Sequence, residues 1–350
     1  MTKSKKKHKY LLSIAFLIVI SVLTVYSLLK EVDIDEMFSI LFSVNITYVL
    51  LGMLLIVFYF FCEGASLRVI INSLGHKSSM KNTYMYGCIN SFYSLITPFG
   101  SGGQPFTIYY MMHDGIPGSK VSIATLLNLL EYKLVLLVYC IIIIVFRPAL
   151  VFSNGILVLL LFIIGAVVGF IMIAIIALSV INVKWVRSIG IGIYKLLSKV
   201  GIIKKENFDA RIESFNKQVD EYRKGAIYIK DHPAIFFKAF FYNFLRQTSF
   251  FAISYMVYLS FGLDPAAWFD VIIAQALIYI TVDSLPLPGG VGATEKLFLV
   301  VYSLTYTTSM ITPAVLLTRL INYVFAILFG GAFAFIKQIS VMRGNKLNAK

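Results

Sequence analysis

The chain is 350 residues long, 59% hydrophobic and only 14% charged, and its 31 Lys and Arg against 17 Asp and Glu give a formal net charge of +14. Apolar residues in that proportion, gathered into long runs, exclude a water-soluble globule and mark a polytopic membrane protein. The positive charge is spread over several loops without a recognition module, so a sided bilayer explains it and nucleic acid is not an expected partner.

The first apolar run, residues 10–29, follows Lys3, Lys5, Lys6, Lys7 and Lys9 and has no small-residue cleavage pattern before Lys30, so a retained span is expected. Residues 30–36 hold four acids and one lysine; a second run covers 46–71, and the next loop carries His76, Lys77 and Lys81. With the basic N-terminus in the cytoplasm, the acidic loop falls outside and the Lys77/Lys81 loop inside. The span expected at 121–146 must end outside, because the run 155–181 then delivers the chain to loop 182–232, which holds eleven Lys/Arg against six Asp/Glu. Residues 83–120 therefore begin and end on the same side. The reading is a re-entrant hairpin: a half-helix at 84–96, a Gly/Pro break, and a return at 105–112. Those arms of thirteen and eight residues fall short of the roughly 20 needed to cross hydrocarbon. The competing arrangement has both hairpins crossing fully, for about ten spans.

The second half repeats the pattern upside down: a span at 234–261, a hairpin at 264–312 with its tip at 285–295, and a span at 313–336 ending beside Lys337, Arg343, Lys346 and Lys350. On this topology only Lys30 and Arg147 of the 31 Lys/Arg fall in outer loops. The expected fold class is an all-α polytopic membrane protein, one membrane domain over 1–350, with six full spans plus two re-entrant helical hairpins in inverted-topology repeats. The first repeat is 46–146 and the second 234–336. Between them, Phe208, Ile212, Phe215, Val219 and Tyr222 mark one face of a helix, with Glu213/Lys217 and Asp220/Lys224 at i,i+4. Residues 185–200 read as a basic amphipathic helix on the anionic inner leaflet, or as a plain anchor.

Two matched breaks in two halves point to a substrate site. Non-helical backbone at membrane depth is tolerated where it lines an enclosed or watery cavity, and the helices restarting after it offer N–H groups and a positive dipole end to an anion such as phosphate. Ser101 or Gln104 is the expected cap of one such helix and Thr294 of the other, with Glu295 in its first turn. Ionisable residues inside the apolar runs are the second signal: Glu131, Lys133, Arg246 and Arg319, with Asp283, Glu295 and Lys296 flanking the second break. Arg246 and Arg319 are expected to grip phosphate through their planar forks, with Glu131 as their partner or as a proton or cation site. Glu63 and Arg68 read as snorkelling residues near a span end. The candidate substrate-binding set is Ser101, Gly102, Gly103, Gln104, Glu131, Arg246, Asp283, Gly289, Gly290, Thr294, Glu295 and Arg319. Glycines that only let helices pack closely, and buried ion pairs that are purely structural, are the competing readings. Cys62, Cys88 and Cys140 lie in apolar runs without CxxC spacing, so buried thiols are expected. His8, His76, His113 and His232 have no metal-ligand spacing, and neither a P-loop nor a Ser/His/Asp set is suggested, so no metal, cofactor or catalytic residue is expected.

In order along the chain, Thr97-Pro98, Gly102-Gly103-Gln104-Pro105, Asp114-Gly115-Ile116-Pro117, Leu130-Glu131, and Pro286-Leu287-Pro288-Gly289-Gly290-Val291-Gly292 with Glu295 resemble the lysylphosphatidylglycerol synthase transmembrane-domain family. These are flippase-like membrane proteins related to the membrane half of the multiple peptide resistance factor. The resemblance implies a multi-pass protein of the bacterial plasma (inner) membrane handling an aminoacylated phospholipid or a glycolipid; the charge pattern puts both termini in the cytoplasm. Arg319-Leu320 with Tyr323 is similar to the family's arginine in the last span, and Glu131 to its acid after the first hairpin. Two-domain members carry a soluble aminoacyl-tRNA-dependent transferase domain; this sequence stops at Lys350, so such chemistry is expected from another chain. The functional reading is a lipid flippase-like transporter. Its alternative is the membrane part of a phosphatidylglycerol lysyltransferase-type enzyme, with a small-anion transporter or channel and a scaffold for a synthase as further readings. The expected partners are membrane phospholipid or glycolipid, a second copy in a homodimer, and a separate lipid synthase. With no nucleotide motif, coupling is expected to ions, to the lipid's own gradient, or to a partner.

Overall fold

The computed structural model describes residues 34–182, 184, 187–188, 190–192, 208–264 and 267–347. The span expected at 10–29 and most of the amphipathic stretch 185–200 lie outside the described residues. Every regular element among those described is helical: α1 (Ile34–Ser43), α2 (Ile46–Ser73), α3 (Met80–Leu95), α4 (Gly103–His113), α5 (Gly118–Phe146), α6 (Pro148–Phe152), α7 (Ile156–Ile181), α8 (Phe208–Asp231), α9 (Pro233–Ser260), α10 (Trp268–Asp283), α11 (Ala293–Val301), α12 (Thr308–Arg319) and α13 (Ala326–Leu347). A 3₁₀ turn at Pro98–Gly100 separates α3 from α4, another at Pro288–Gly290 separates α10 from α11, and a π-helical turn at Leu320–Phe325 joins α12 to α13.

Local chemistry sets the boundaries. Asn45 starts α2, its side-chain oxygen accepting from the Thr47 N–H at 3.0 Å, and Ser79 starts α3 by accepting from the Asn82 N–H at 3.2 Å. Pro233 opens α9 at the position where a missing N–H is harmless. Gly115, at φ 85, makes the turn that ends α4.

The two halves share one order of parts: a 28-residue helix (α2, α9), a 16-residue helix (α3, α10), a broken turn, a short helix, then a long one. The two 28-residue helices form the central pair and run antiparallel, as shown by the Asn45 N–H to Ser260 carbonyl bond at 2.8 Å and the Asn243 Nδ2 to Ser66 Oγ bond at 2.9 Å. Around them lie two apolar clusters, one containing Phe60, Phe251 and Phe298, the other Ile71, Ile89 and Met111.

Among the described residues, four stretches are long and apolar enough to cross a membrane: Ile46–Ser73, Gly118–Phe146, Ile156–Ser179 and Thr308–Met342. The helix α9 is as long as α2 but is not among them, because Lys238, Asn243, Arg246 and Gln247 interrupt its apolar run. Asn243, Arg246 and Gln247 are all buried against the rest of the protein. The opposite extreme is α7, without a charged residue and with little of its length buried, as a lipid-facing helix would be.

The helices α2 and α3 touch backbone to backbone. A Cβ on Gly64 would stand 2.6 Å from the Thr83 carbonyl oxygen, and one on Gly87 2.7 Å from that of Phe60. Backbone cannot step aside as a side chain can, so Gly87→Ala is expected to destabilise the fold by about 1–3 kcal/mol. A fluorescence or light-scattering melt in detergent reads this directly; an unchanged midpoint would mean the two helices can separate freely.

The amphipathic helix expected from Phe208 runs on to Asp231 and packs Val219, Ala226 and Ile229 inward. Glu213 pairs with Lys217 at 3.0 Å as the spacing predicts, whereas Lys224 pairs with Glu221 one turn back at 2.8 Å, leaving Asp220 to Arg187 at 2.5 Å.

Candidate functional site

The two breaks have the same backbone. Thr97 and Leu287 are extended, as residues before proline prefer, and Pro98 and Pro288 then lead into two consecutive left-handed residues: Phe99 and Gly100 at φ 56 and 62, Gly289 and Gly290 at φ 57 and 66. Glycine takes this conformation freely, but Phe99 does so at a cost of about 1–2 kcal/mol. Gly289 is needed for space as well, since a Cβ there would stand 2.2 Å from the Tyr323 ring.

The helices that restart after the breaks are capped otherwise than the sequence suggested. Ser101 and Gln104 do not cap α4: Gly102 is the N-cap, and its N–H is taken by Thr97 Oγ1 at 2.8 Å. Thr294 lies inside α11, whose N-cap is Gly292; the Glu295 carboxylate reaches back to accept the Gly292 N–H at 2.7 Å. Side-chain oxygens of the protein itself therefore already hold the first exposed amide of each restart.

The two turns pack against each other and border a single cavity of about 550 Å³, lined from both halves of the chain. Its wall carries charges of both signs, paired. Arg246 Nη2 lies 2.7 Å from Glu63 Oε2 and donates to the Tyr59 hydroxyl at 2.6 Å, with the guanidinium 4.6 Å above the Tyr59 ring. Asn90 Nδ2 holds the other Glu63 oxygen at 2.7 Å. Lys133 Nζ meets Asp283 Oδ2 at 2.5 Å, and Asp283 also accepts from the Tyr132 hydroxyl, itself 3.0 Å from that of Tyr279. Arg319 Nε donates to Glu295 Oε1 at 2.7 Å, Nη2 donates to the Gly289 carbonyl at 3.0 Å, and the guanidinium covers the Tyr323 ring at 4.5 Å. Ser91 Oγ, Arg246 Nε, Ser284 Oγ and Asn322 Oδ1 are buried polar atoms on this wall with no hydrogen-bond partner, and Glu63 Oε2 has only its ion pair with Arg246. Ile56, Leu95, Phe99, Val168, Met172, Phe250 and Leu287 supply apolar surface between the charges.

Of the residues singled out from sequence, Gln104, Arg246, Asp283, Gly289, Gly290, Thr294 and Arg319 line this cavity, and Glu295 stands behind Arg319. Ser101, Gly102, Gly103 and Glu131 do not line it. Glu131 is not the partner of either arginine; it faces Ser66 and Asn243. Glu63, read as a snorkelling residue, is instead buried and is the counter-charge of Arg246. Asn90, Tyr59, Tyr132 and Tyr279 were not anticipated, although an acid in mid-run such as Glu63 is itself the signal that could have found its cluster.

The ends of the helices are also tied by charge. Lys337 Nζ on α13 binds both Asp114 oxygens, at 2.7 and 2.5 Å, where Tyr86 also donates to Asp114. Elsewhere, Arg147 after α5 pairs with Asp270 at the start of α10.

The sequence model of a family described as the lysylphosphatidylglycerol synthase TM region matches residues 11–330. A protein of Archaeoglobus fulgidus described as a UPF0104 membrane protein is 22% identical over 320 residues, covering 89% of this chain and 93% of its own length. A match across that much of the chain, on an all-helical body with four apolar helices of membrane length, is sufficient: the protein belongs to the lysylphosphatidylglycerol synthase transmembrane-region family.

Proposed function

We propose that the protein is a flippase-like transporter of the bacterial plasma membrane, moving a lipid with an anionic, aminoacylated or glycosylated headgroup between leaflets. The observation that carries this is the paired, two-sign cavity at the meeting of the two breaks. A phosphate needs arginines, and an aminoacyl ammonium needs carboxylates. Arg246 and Arg319 supply the first, Glu63 and Asp283 the second, and the unpartnered Arg246 Nε is a buried donor available to an anion. Apolar side chains between the charges suit the glycerol end of a lipid whose acyl chains remain in the bilayer.

In this reading the two helix-break-helix units are re-entrant hairpins of inverted repeats, six spans cross the bilayer, and both termini are cytoplasmic. Rocking of one half against the other exposes the cavity to either leaflet. The breaks position the pairs, and the substrate enters by exchanging its own charges for the internal ones.

The family's description names a synthase, so the membrane part of a phosphatidylglycerol lysyltransferase-type enzyme is the second reading. Proteoliposomes containing headgroup-labelled lysylphosphatidylglycerol separate the two. A transporter changes which leaflet the label occupies without changing lipid composition. A transferase alters the lipid species when given charged tRNA. No change in leaflet exposure above protein-free vesicles, for aminoacylated and glycosylated lipids alike, would defeat the transport reading.

A further inference from the structure

The cavity acids have basic partners, and so does Asp114; Glu131 does not. It sits in mid-α5 at 0% exposure and meets only neutral groups: Oε2 accepts from Ser66 Oγ at 3.2 Å and from Asn243 Nδ2 at 2.8 Å, and Oε1 has no hydrogen-bond partner. Asn243 Oδ1 is unpartnered too, and Gln247, one turn along α9 and equally buried, has neither amide atom satisfied. An ionised carboxylate without a counter-charge is the costliest arrangement a protein interior can hold. A proton on Glu131 removes that charge and adds a donor to a cluster rich in unpartnered acceptors.

The charged and titratable groups on the surrounding elements do not supply the missing cation. On α2, Glu63 is held by Arg246, Arg68 Nε donates to the Ser78 carbonyl at 3.2 Å, and Cys62 is a free thiol. On α4, Tyr110 donates to Gln338 at 2.6 Å and His113 is exposed. On α8, Lys217 and Lys224 pair with Glu213 and Glu221, Arg223 and Lys230 are exposed, and Tyr228 stacks on His232. On α9, Arg246 faces Glu63 and Lys238 is exposed. On α10, Asp283 binds Lys133 and Tyr132, Tyr279 meets Tyr132, and Asp270 pairs with Arg147. On α5 itself Lys120 lies three turns away; α6 and α7 carry no titratable side chain.

Glu131 is nevertheless one helical turn from the cavity along two helices. On α2, its partner Ser66 lies one turn beyond Glu63, which lines the cavity. On α5, Asn128 precedes it by one turn, also lines the cavity, and reaches Glu63 Oε1 at 3.4 Å.

We propose that Glu131 is a proton-binding site, occupied in the arrangement seen here, which exchanges its proton with the cavity acid Glu63, one turn along α2 from its partner Ser66, and so couples lipid movement to a proton gradient. The coupling rests on the transport reading above; the proton site does not. When a phosphate takes the Arg246 guanidinium and the ammonium of the headgroup goes to Asp283, Glu63 loses its counter-charge and becomes the acceptor for the proton that Glu131 gives up. One proton leaves Glu131 as Glu63 gains one, and the carboxylate left behind favours an arrangement that admits water.

Infrared spectroscopy of the full chain in proteoliposomes, in light and heavy water, tests the site. At neutral pH the wild type is expected to show the carbonyl stretch of a protonated carboxylic acid. Glu131→Gln should lose it, and Glu131→Asp, which retains the acid, should shift it. The absence of that band from the wild type at neutral pH would overturn the proposal. In the same vesicles an imposed pH gradient is expected to change wild-type lipid exchange by up to about tenfold per pH unit. Glu131→Gln should lose that response. A response that survives in Glu131→Gln, or that follows sodium and not protons, also overturns it. If the band is present while wild-type protein moves no lipid under any gradient, the transport reading fails and the proton site stands.

Discussion

Arg319→Ala is expected to reduce lipid translocation by about a hundredfold or more, because it removes the cation that closes the second break. A hydrogen bond from a charged group is worth about 1.5–3 kcal/mol, and each 1.4 kcal/mol is a factor of ten in rate. The same change strands Glu295, which is 5% exposed and would keep only the Gly292 N–H, so a loss of about 3–5 kcal/mol in stability should accompany it. The two effects separate in the double variant Arg319→Ala/Glu295→Ala. Removing both charges should restore much of the melting temperature, while translocation should stay lost because the proposed phosphate contact is still missing. A double variant that transports at the wild-type rate would reduce the Arg319–Glu295 pair to a structural strut.

Exchanging the charges of the central pair, Glu63→Arg with Arg246→Glu, should give the second large effect. Both residues are buried where α2 and α9 cross, and their separation of 2.7 Å leaves no room for an unpaired charge. Arg246→Ala alone is expected to cost about 3–5 kcal/mol, since Glu63 would retain only amide donors from Asn90 and Asn128. The exchange restores a pair of opposite charges and should recover part of that loss. It should not restore transport, because the guanidinium then starts from α2, the helix that carries Tyr59, and no longer reaches from α9 across the Tyr59 and Tyr132 rings as that of Arg246 does. Melts and leaflet-exchange rates on the single and exchanged variants read the two quantities independently; normal exchange by the swapped protein would remove Arg246 as a positioned phosphate ligand.

The parts of this architecture that were legible in the sequence are those set by local backbone chemistry. Pro98 and Pro288, with the glycines beside them, marked both breaks, because neither residue type continues a helix. The shared left-handed geometry was not legible, because Phe99 is a residue type that seldom takes positive φ. Charge pairing was harder still. Glu63 finds Arg246 across 183 positions of sequence, and no local pattern carries that distance. Apolar runs located α5 but not its rotation: Tyr132 and Lys133 turn toward the cavity, while their neighbour Glu131 turns toward Ser66 and Asn243. For α9 the polar residues that weaken its apolar signal are the ones buried against the other half. Caps failed for a related reason, since Glu295, reaching back, and Thr97, reaching forward across its turn, displaced the nearer Thr294 and Ser101.

The π-helical turn at Leu320–Phe325 gives the last helix one residue more than an α-helical count allows, placed between Arg319 at the cavity and Lys337 at Asp114. Expelling that surplus residue would swivel everything downstream by about 100° and slide it by about 1.5 Å, while Arg319 stayed where it is. Lys337 would be carried off Asp114 by such a step. A single slip in winding would thus connect a charge on the cavity wall to a latch some eighteen residues further on, without unfolding any helix.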